Sequence, residues 1–246
     1  MMSGMSMIRS GVRFQEAAIE NAANNGASSN SVGFSKRYFF SVDKKHGKLT
    51  ASNNAQDKGT SVGIDSYSPF EQGDLREVSN PLCYSITGSE GYFKLEDDDE
   101  NVLFTRAGDF ELVKVKETDE KTGEKKEVFY LGHGDGFFVI GSDGKRIKYD
   151  PNNDTEELDI GVFDVAEHYK MLPVGESRFV YKGLGEPSLD KNAEIEQNSL
   201  EIPRVDMPGE AVDLARRSND FAVLLRAFEK KREAGDKMIG VLGGGR

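Results

Sequence analysis

The sequence predicts an α+β fold in which N- and C-terminal helices pair as a coiled-coil-like domain, with a mainly antiparallel β body inserted between them. Three observations carry that expectation. Apolar residues recur at helical spacing near both ends, seven short apolar runs lie in the middle, and Gly, Asp and Asn clusters separate those runs.

The front helix is expected over about Met7 to Asn25, where Ile8, Val12, Ile19 and Ala22 fall three or four residues apart or at multiples of that spacing, and so form one stripe. The segment Ala27 to Val32, closed by Gly33 and Phe34, is rich in small polar residues that compete for backbone hydrogen bonds, and it reads as a joint. From Tyr38 to about Thr60 aromatic residues give way to a Lys/Asn/Asp-rich stretch with several turn formers, and mobility is expected at Lys44 to Lys58. Strands are expected at Leu82–Ile86, Tyr92–Leu95, Val102–Thr105, Phe110–Val115, Val128–Leu131, Phe137–Ile140 and Leu158–Val165. Lys116 to Glu127 should be an exposed hairpin tip that turns at Asp119 to Gly123, and the polar stretch Gly183 to Ser199 a return path to the last helix.

That helix is expected from about Glu210 to Leu242. Pro208 and Gly209 mark its start, Glu210 and Asp213 suit its positive end, and Gly243, Gly244 and Gly245 stop it. Its clearest apolar face is Phe221, Leu224, Leu225 and Phe228. A helix of this length with so narrow a stripe needs a partner, because isolated helices are marginal in water. The expected organisation is therefore 1–37 for the first helix and joint, 38–61 for a flexible connector, 62–199 for the β-rich body and 200–246 for the last helix.

Composition excludes several functions. The chain has 246 residues, 37% of them hydrophobic, with a mean hydropathy of -0.57, and no apolar run approaches the ~20 residues of a bilayer span. The start MMSGMSMIRSGV has no continuous apolar core, so a cleaved export signal is not expected. A net charge of -11 argues against nucleic acid as a partner. The single Cys83 can form neither an internal disulfide nor a thiolate cluster.

Chemistry-bearing motifs are weak. Gly132-His133-Gly134-Asp135-Gly136 lacks the ending of a phosphate loop and precedes a strand, so it reads as a turn. Asp97 to Glu100 is a solvated acidic run, and Asp150, Asn152 and Asp154 imitate only the first half of a calcium loop. His46, His133 and His168 share no metal spacing, and no nucleophile motif is present. No catalytic residue, metal, cofactor or small-molecule substrate is expected. Arg106, beside Thr105 and Asp109, is read as a scaffold residue whose guanidinium ties two β loops, and Gly73, Gly88, Gly91 and Gly108 as turns or close backbone approaches.

Short motifs then add a resemblance. Ala23-Asn24-Asn25 with Ala27, followed by Gly33-Phe34, resembles the A-N-N-L-A-N and T-x-G-F-K signature of flagellar rod and hook proteins. Gln72-Gly73-Asp74-Leu75, Asn80-Pro81-Leu82 with Ile86, and Gly91-Tyr92-Phe93 are similar to that family's next segments. Phe104-Thr105-Arg106-Ala107-Gly108-Asp109-Phe110 resembles Y-T-R-x-G-x-F, Leu200-Glu201 with Val205-Asp206 resembles L-E-x-S-N-V-D, and Asp236 to Gly240 resembles D-E-M-L-G. The motifs span nearly the whole chain in the family's order. The chain departs from the pattern at Gly26, Ser28, Cys83 and Pro203-Arg204, and by about one extra helical turn before Asp236.

The resemblance implies a structural, non-catalytic rod subunit of the bacterial flagellar basal body, middle-sized and proximal rather than distal. It also implies export through the flagellar type III apparatus without a cleaved signal, and partners that are further copies, neighbouring rod or hook subunits and the export apparatus. On that reading Ile8, Val12, Ile19, Ala22, Phe221, Leu224, Leu225 and Phe228 pack helices between subunits in a non-closing array. The alternative is a β-rich surface-binding or adhesive module on a helical stalk, and a weaker third reading is a hydrolase using the acidic loops.

Overall fold

The computed structural model describes residues 4–43, 62–118, 125–134, 136–151, 158–175, 177–203 and 205–243. The stretch 44–58, the hairpin tip 119–123, and Asn152 and Asp154 fall outside the described residues. The fold is α+β, with a helix at each end and a mostly antiparallel β body between them. The chain divides into two compact units, one made of 1–27, 37–66 and 205–246, the other of 28–36 and 67–204.

The first unit holds α1 (Gly4–Ala27), α2 (Met207–Gly243) and the paired strands β1 (Tyr38–Asp43) and β2 (Val62–Tyr67). The two helices are in contact. α2 starts three residues before the expected Glu210, because Pro208 fits within its first turn and Asp206 turns its carboxylate toward Gly209. Two boundaries differ from the sequence reading. The connector expected over 38–61 begins with a strand, and β2, expected in the body, pairs with that strand instead. Three aromatic residues and a valine in Tyr38–Asp43 suit a pleated strand, a signal outweighed in the sequence by the polar stretch that follows.

The second unit is built on one large sheet. β5 (Tyr92–Glu96) lies at its middle, paired antiparallel with β6 (Val102–Thr105), β9 (Phe138–Val139) and β11 (Val162–Asp164). β7 (Glu111–Thr118) and β8 (Lys125–Gly132) form the long hairpin expected around 116–127, and β10 (Lys148–Tyr149) pairs with β8. On the other side β6 pairs with β13 (Arg178–Tyr181), and β13 with the edge strand β12 (Met171–Val174). The stretch expected as a loop return, 183–199, contains β14 (Ser188–Leu189) and β15 (Glu194–Gln197), and β16 (Ser199–Ile202) follows at once. β15 pairs with β4 (Tyr84–Thr87) and β16 with β3 (Asp74–Glu77). β3, β15 and β16 are short and charged, with one or two apolar residues in four, so they carry little apolar signal of their own. Partners about a hundred residues earlier supply their pairing.

Two apolar clusters fill this unit. Ile86, Phe93, Leu95, Leu131 and Val139 are fully enclosed in one, and Phe104, Ile140, Val165, Met171 and Phe179 form most of the other. The edge strand β12 is closed to further pairing. Lys182 donates its N–H to Lys170 O, so alternation along the ladder turns the backbone of Met171 and Pro173 outward. Met171 N–H is already bonded to His168 O, and Pro173 has no N–H to offer.

Candidate assembly interface

In the helical unit, the inward stripe of α2 is Glu210, Leu214, Arg217, Phe221, Leu224 and Phe228, spaced alternately four and three residues apart as in a coiled coil. Each of these residues is buried or half-buried, whereas 229–237 are exposed throughout. On α1 the closely covered stripe is Gly11, Ala18, Ala22 and Asn25, and the last three are at most 4% exposed. A Cβ on Gly11 would lie 3.6 Å from a Leu224 methyl, so small residues on one helix receive large apolar ones on the other.

This register fixes the helix direction. With Gly11 opposite Leu224, an antiparallel α1 reaches its first residue level with Lys231 and leaves the following turns uncovered, which matches the exposure of 229–237. A parallel α1 would cover those turns and leave the first turns of α2 bare, yet Glu210 is buried.

The expected packing residues divide accordingly. Ala22, Phe221, Leu224 and Phe228 lie on the covered stripes. Ile8, Val12 and Ile19 lie about 80° round α1 from Gly11, at 100° per residue, and are only half-buried. Leu225 is 37% exposed, and Val223 and Val212 are 62% and 67% exposed. Within the single chain, one step of 100° carries Leu225 past Leu224 to the open flank. Sequence reasoning missed Gly11, Ala18 and Asn25, because small and polar residues leave no apolar signal. Asn25 is held by its amide, which donates to Arg37 O at 3.0 Å and accepts the Arg37 N–H at 3.0 Å, while Asn21 donates to the same carbonyl at 2.9 Å. The second asparagine of Ala23-Asn24-Asn25 thus anchors the start of β1 by acting as a short β partner.

The β-rich unit has its own polar centre. Arg106 is 4% exposed, its Nε donates to Glu201 Oε2 at 2.8 Å, and Glu201 is equally buried. Its Nη1 donates to Gly91 O at 2.6 Å and Ser89 O at 3.1 Å, its Nη2 to Ile86 O at 3.3 Å, and the guanidinium covers the Phe70 ring. Glu201 Oε1 accepts the Gly73 N–H at 2.7 Å, and Glu201 O accepts the Gly33 N–H at 3.0 Å. Arg106 therefore ties loops together as expected, but through a different acid. Thr105 Oγ1 donates to Ser177 O, and Asp109 is half-exposed toward His133. Glu201 lies 95 residues away, a distance no local motif could bridge.

The scaffold glycines gather round this centre. A Cβ on Gly73 would come within 2.1 Å of Ile202 O, one on Gly91 within 2.6 Å of Val162, and one on Gly108 within 1.7 Å of Tyr84 O. Gly33, at a positive φ of 64°, would strike the Ala107 nitrogen at 2.1 Å.

The glycine-flanked His133 lies in a turn, with Gly134 and Gly136 at positive φ. It is buried against Phe110, its Nδ1 3.6 Å from Asp109 Oδ1 and too far for a hydrogen bond. Burial lowers its pKa below the ordinary value, against the opposing pull of Asp109, and the Arg178 charge adds to the lowering. Burial raises the pKa of the Cys83 thiol, keeping it protonated and inert. Among the described residues no cluster of His, Cys, Asp or Glu suits a metal ion, and no helix is long and apolar enough to cross a membrane. Comparison with models of known protein families and with curated proteins finds no match to this chain.

Proposed function

We propose that this chain is a structural subunit of the bacterial flagellar basal-body rod, polymerising through its terminal helices. The observation that carries the reading is the incomplete closure of the helix pair. α1 covers one stripe of α2, while Leu225, Val223 and Val212 stay exposed, Ile8, Val12 and Ile19 stay half-covered, and 229–237 is exposed throughout. Exposed apolar residues on two long, adjoining helices favour association with further helices. The ordered series of rod- and hook-like motifs supports the same reading, and Asn25, Gly33, Gly73, Gly91, Arg106, Gly108 and Glu201 from that series each make a specific contact. A stalk that only carried an adhesive β module would be expected to close its apolar faces within one chain.

The test is Leu225→Asp. Because Leu225 is on the open flank, the variant should fold with unchanged helix content but fail to form rods or support motility. Normal rods and swimming in cells carrying it would count against the proposal.

A further inference from the structure

One cleft of the β-rich unit holds polar groups that the described chain leaves unanswered. It has a volume of about 700 Å³ and lies between residues 30–32, the turn that follows β8 and the β12–β13 corner. Arg178, the first residue of β13, lines it and is half-buried, with its guanidinium over the Phe137 ring at 4.9 Å. Its Nη2 lies 2.0 Å from where a Cβ on Gly134 would stand, so the glycine beside His133 makes room for the guanidinium. Among the described residues that guanidinium makes no hydrogen bond or ion pair. His133 lines the same cleft with its side chain 10% exposed, and its Nδ1 has no hydrogen-bond partner.

A guanidinium stays charged at any pH a folded chain withstands, and a half-buried one without an acceptor is costly. Stacking on Phe137 holds the plane of its fork and leaves the N–H edges for two parallel bonds to a carboxylate or a phosphate. Two features of the cleft decide between those anions. Asp109 also lines it, about half-exposed, and its charge opposes a dianion more than a monoanion. Leu103, Phe137 and Val174 supply an apolar wall, with Val174 47% exposed, and an inorganic ion would leave that wall bare.

We infer that the cleft binds a small carboxylate with a short apolar tail, the carboxylate on the Arg178 fork and the tail against Leu103, Phe137 and Val174. Such a site is independent of the rod reading, because neither α1 nor α2 lines it. His133 reports its occupancy. An anion on Arg178 offsets the charge that works against protonation of the ring, so binding raises the His133 pKa, in the same sense as Asp109 and Glu111 already act. Affinity is then constant above the pKa of the bound form and grows as pH falls below it, until the free form is protonated as well.

The experiment titrates the purified full-length chain with N-acetyl-leucine, followed by calorimetry and by the imidazole NMR signals. Saturable binding at one site, with a Kd of about 1 mM or tighter, is expected. N-acetyl-leucinamide, which lacks the charge, and acetate, which lacks the tail, should each bind at least about tenfold more weakly, and inorganic phosphate at equal concentration should not displace the ligand. The His133 signal, assigned with His133→Asn, should titrate at higher pH when ligand is present, while no other histidine signal moves. Arg178→Gln should weaken binding at least about tenfold. Asp135 and Glu176 neighbour the cleft in sequence and lie outside the described residues, so Asp135→Asn with Glu176→Gln removes the chain's own competing carboxylates and should bind at least as tightly as the parent. The ligand series and the His133 shift need no substitution at Arg178, so they decide the matter even where Arg178→Gln fails to fold. The site is overturned if the parent shows no saturable binding, if the amide or phosphate competes as well as the acid, or if a folded Arg178→Gln binds like the parent.

Discussion

The two units resolve the same problem, what to do with groups that water no longer reaches, in opposite ways. The β-rich unit encloses a full guanidinium–carboxylate pair and satisfies it with the Gly73 N–H and the carbonyls of Ile86, Ser89 and Gly91. The helical unit leaves Leu225, Val223 and Val212 in solvent and lets α2 run on past its partner. The buried pair of the β-rich unit has its polar groups satisfied within the chain, whereas the helical unit keeps an open apolar flank on which the proposed association would act. The contrast also separates substitutions that should harm folding from those that should harm only association.

The sharpest way to break that contrast is at the buried pair. Glu201→Ala leaves an uncompensated guanidinium in the interior and should destabilise the β-rich unit by about 3–5 kcal/mol, read by denaturant unfolding. An effect below about 1 kcal/mol would mean that water reaches the pair and that the β-rich unit is less complete than described. Gly108→Ala comes next, because its methyl would overlap Tyr84 O and force two segments apart, at a cost of about 1–3 kcal/mol.

Protonation of His133 gives a smaller, pH-dependent effect. Its folded-state pKa lies below the unfolded value, so above pH about 6.5 the ring is neutral in both states and its site is fully stable. As pH falls from there toward the folded pKa, the unfolded chain takes up the proton first and stability is lost. His133→Asn should flatten that part of the stability–pH profile measured by thermal unfolding. The smallest expected effect sharpens the other side of the comparison: Leu225→Asp should change monomer stability by no more than about 0.5 kcal/mol, as for other exposed positions, while the rod proposal expects it to block assembly.

Much of the architecture could be read from periodicity. Both helices, the β7–β8 hairpin and the strands at 92–95 and 102–105 stand within a few residues of the expected positions, since each has a strong local pattern. β3, β15 and β16 could not be read that way, because DLRE, EIEQ and SLEI owe their extended form to partners more than a hundred residues away. The candidate interface followed the same division. Phe221, Leu224 and Phe228 were visible as large apolar residues, whereas Gly11 and Ala18 contribute by being small, which periodicity of hydrophobicity does not register. Arg106 was identifiable as a scaffold residue from its type and neighbourhood, but its acid lay beyond any sequence window.

The outward edge of β12 bears on crowding. With Met171 N–H committed to His168 and proline at 173, that border offers carbonyls but no donor from 171 to 173. Bodies brought side by side at high local concentration would find no template there for extending a sheet from one molecule into another. Ordered growth through the helices would then not compete with amyloid-like stacking along this strand.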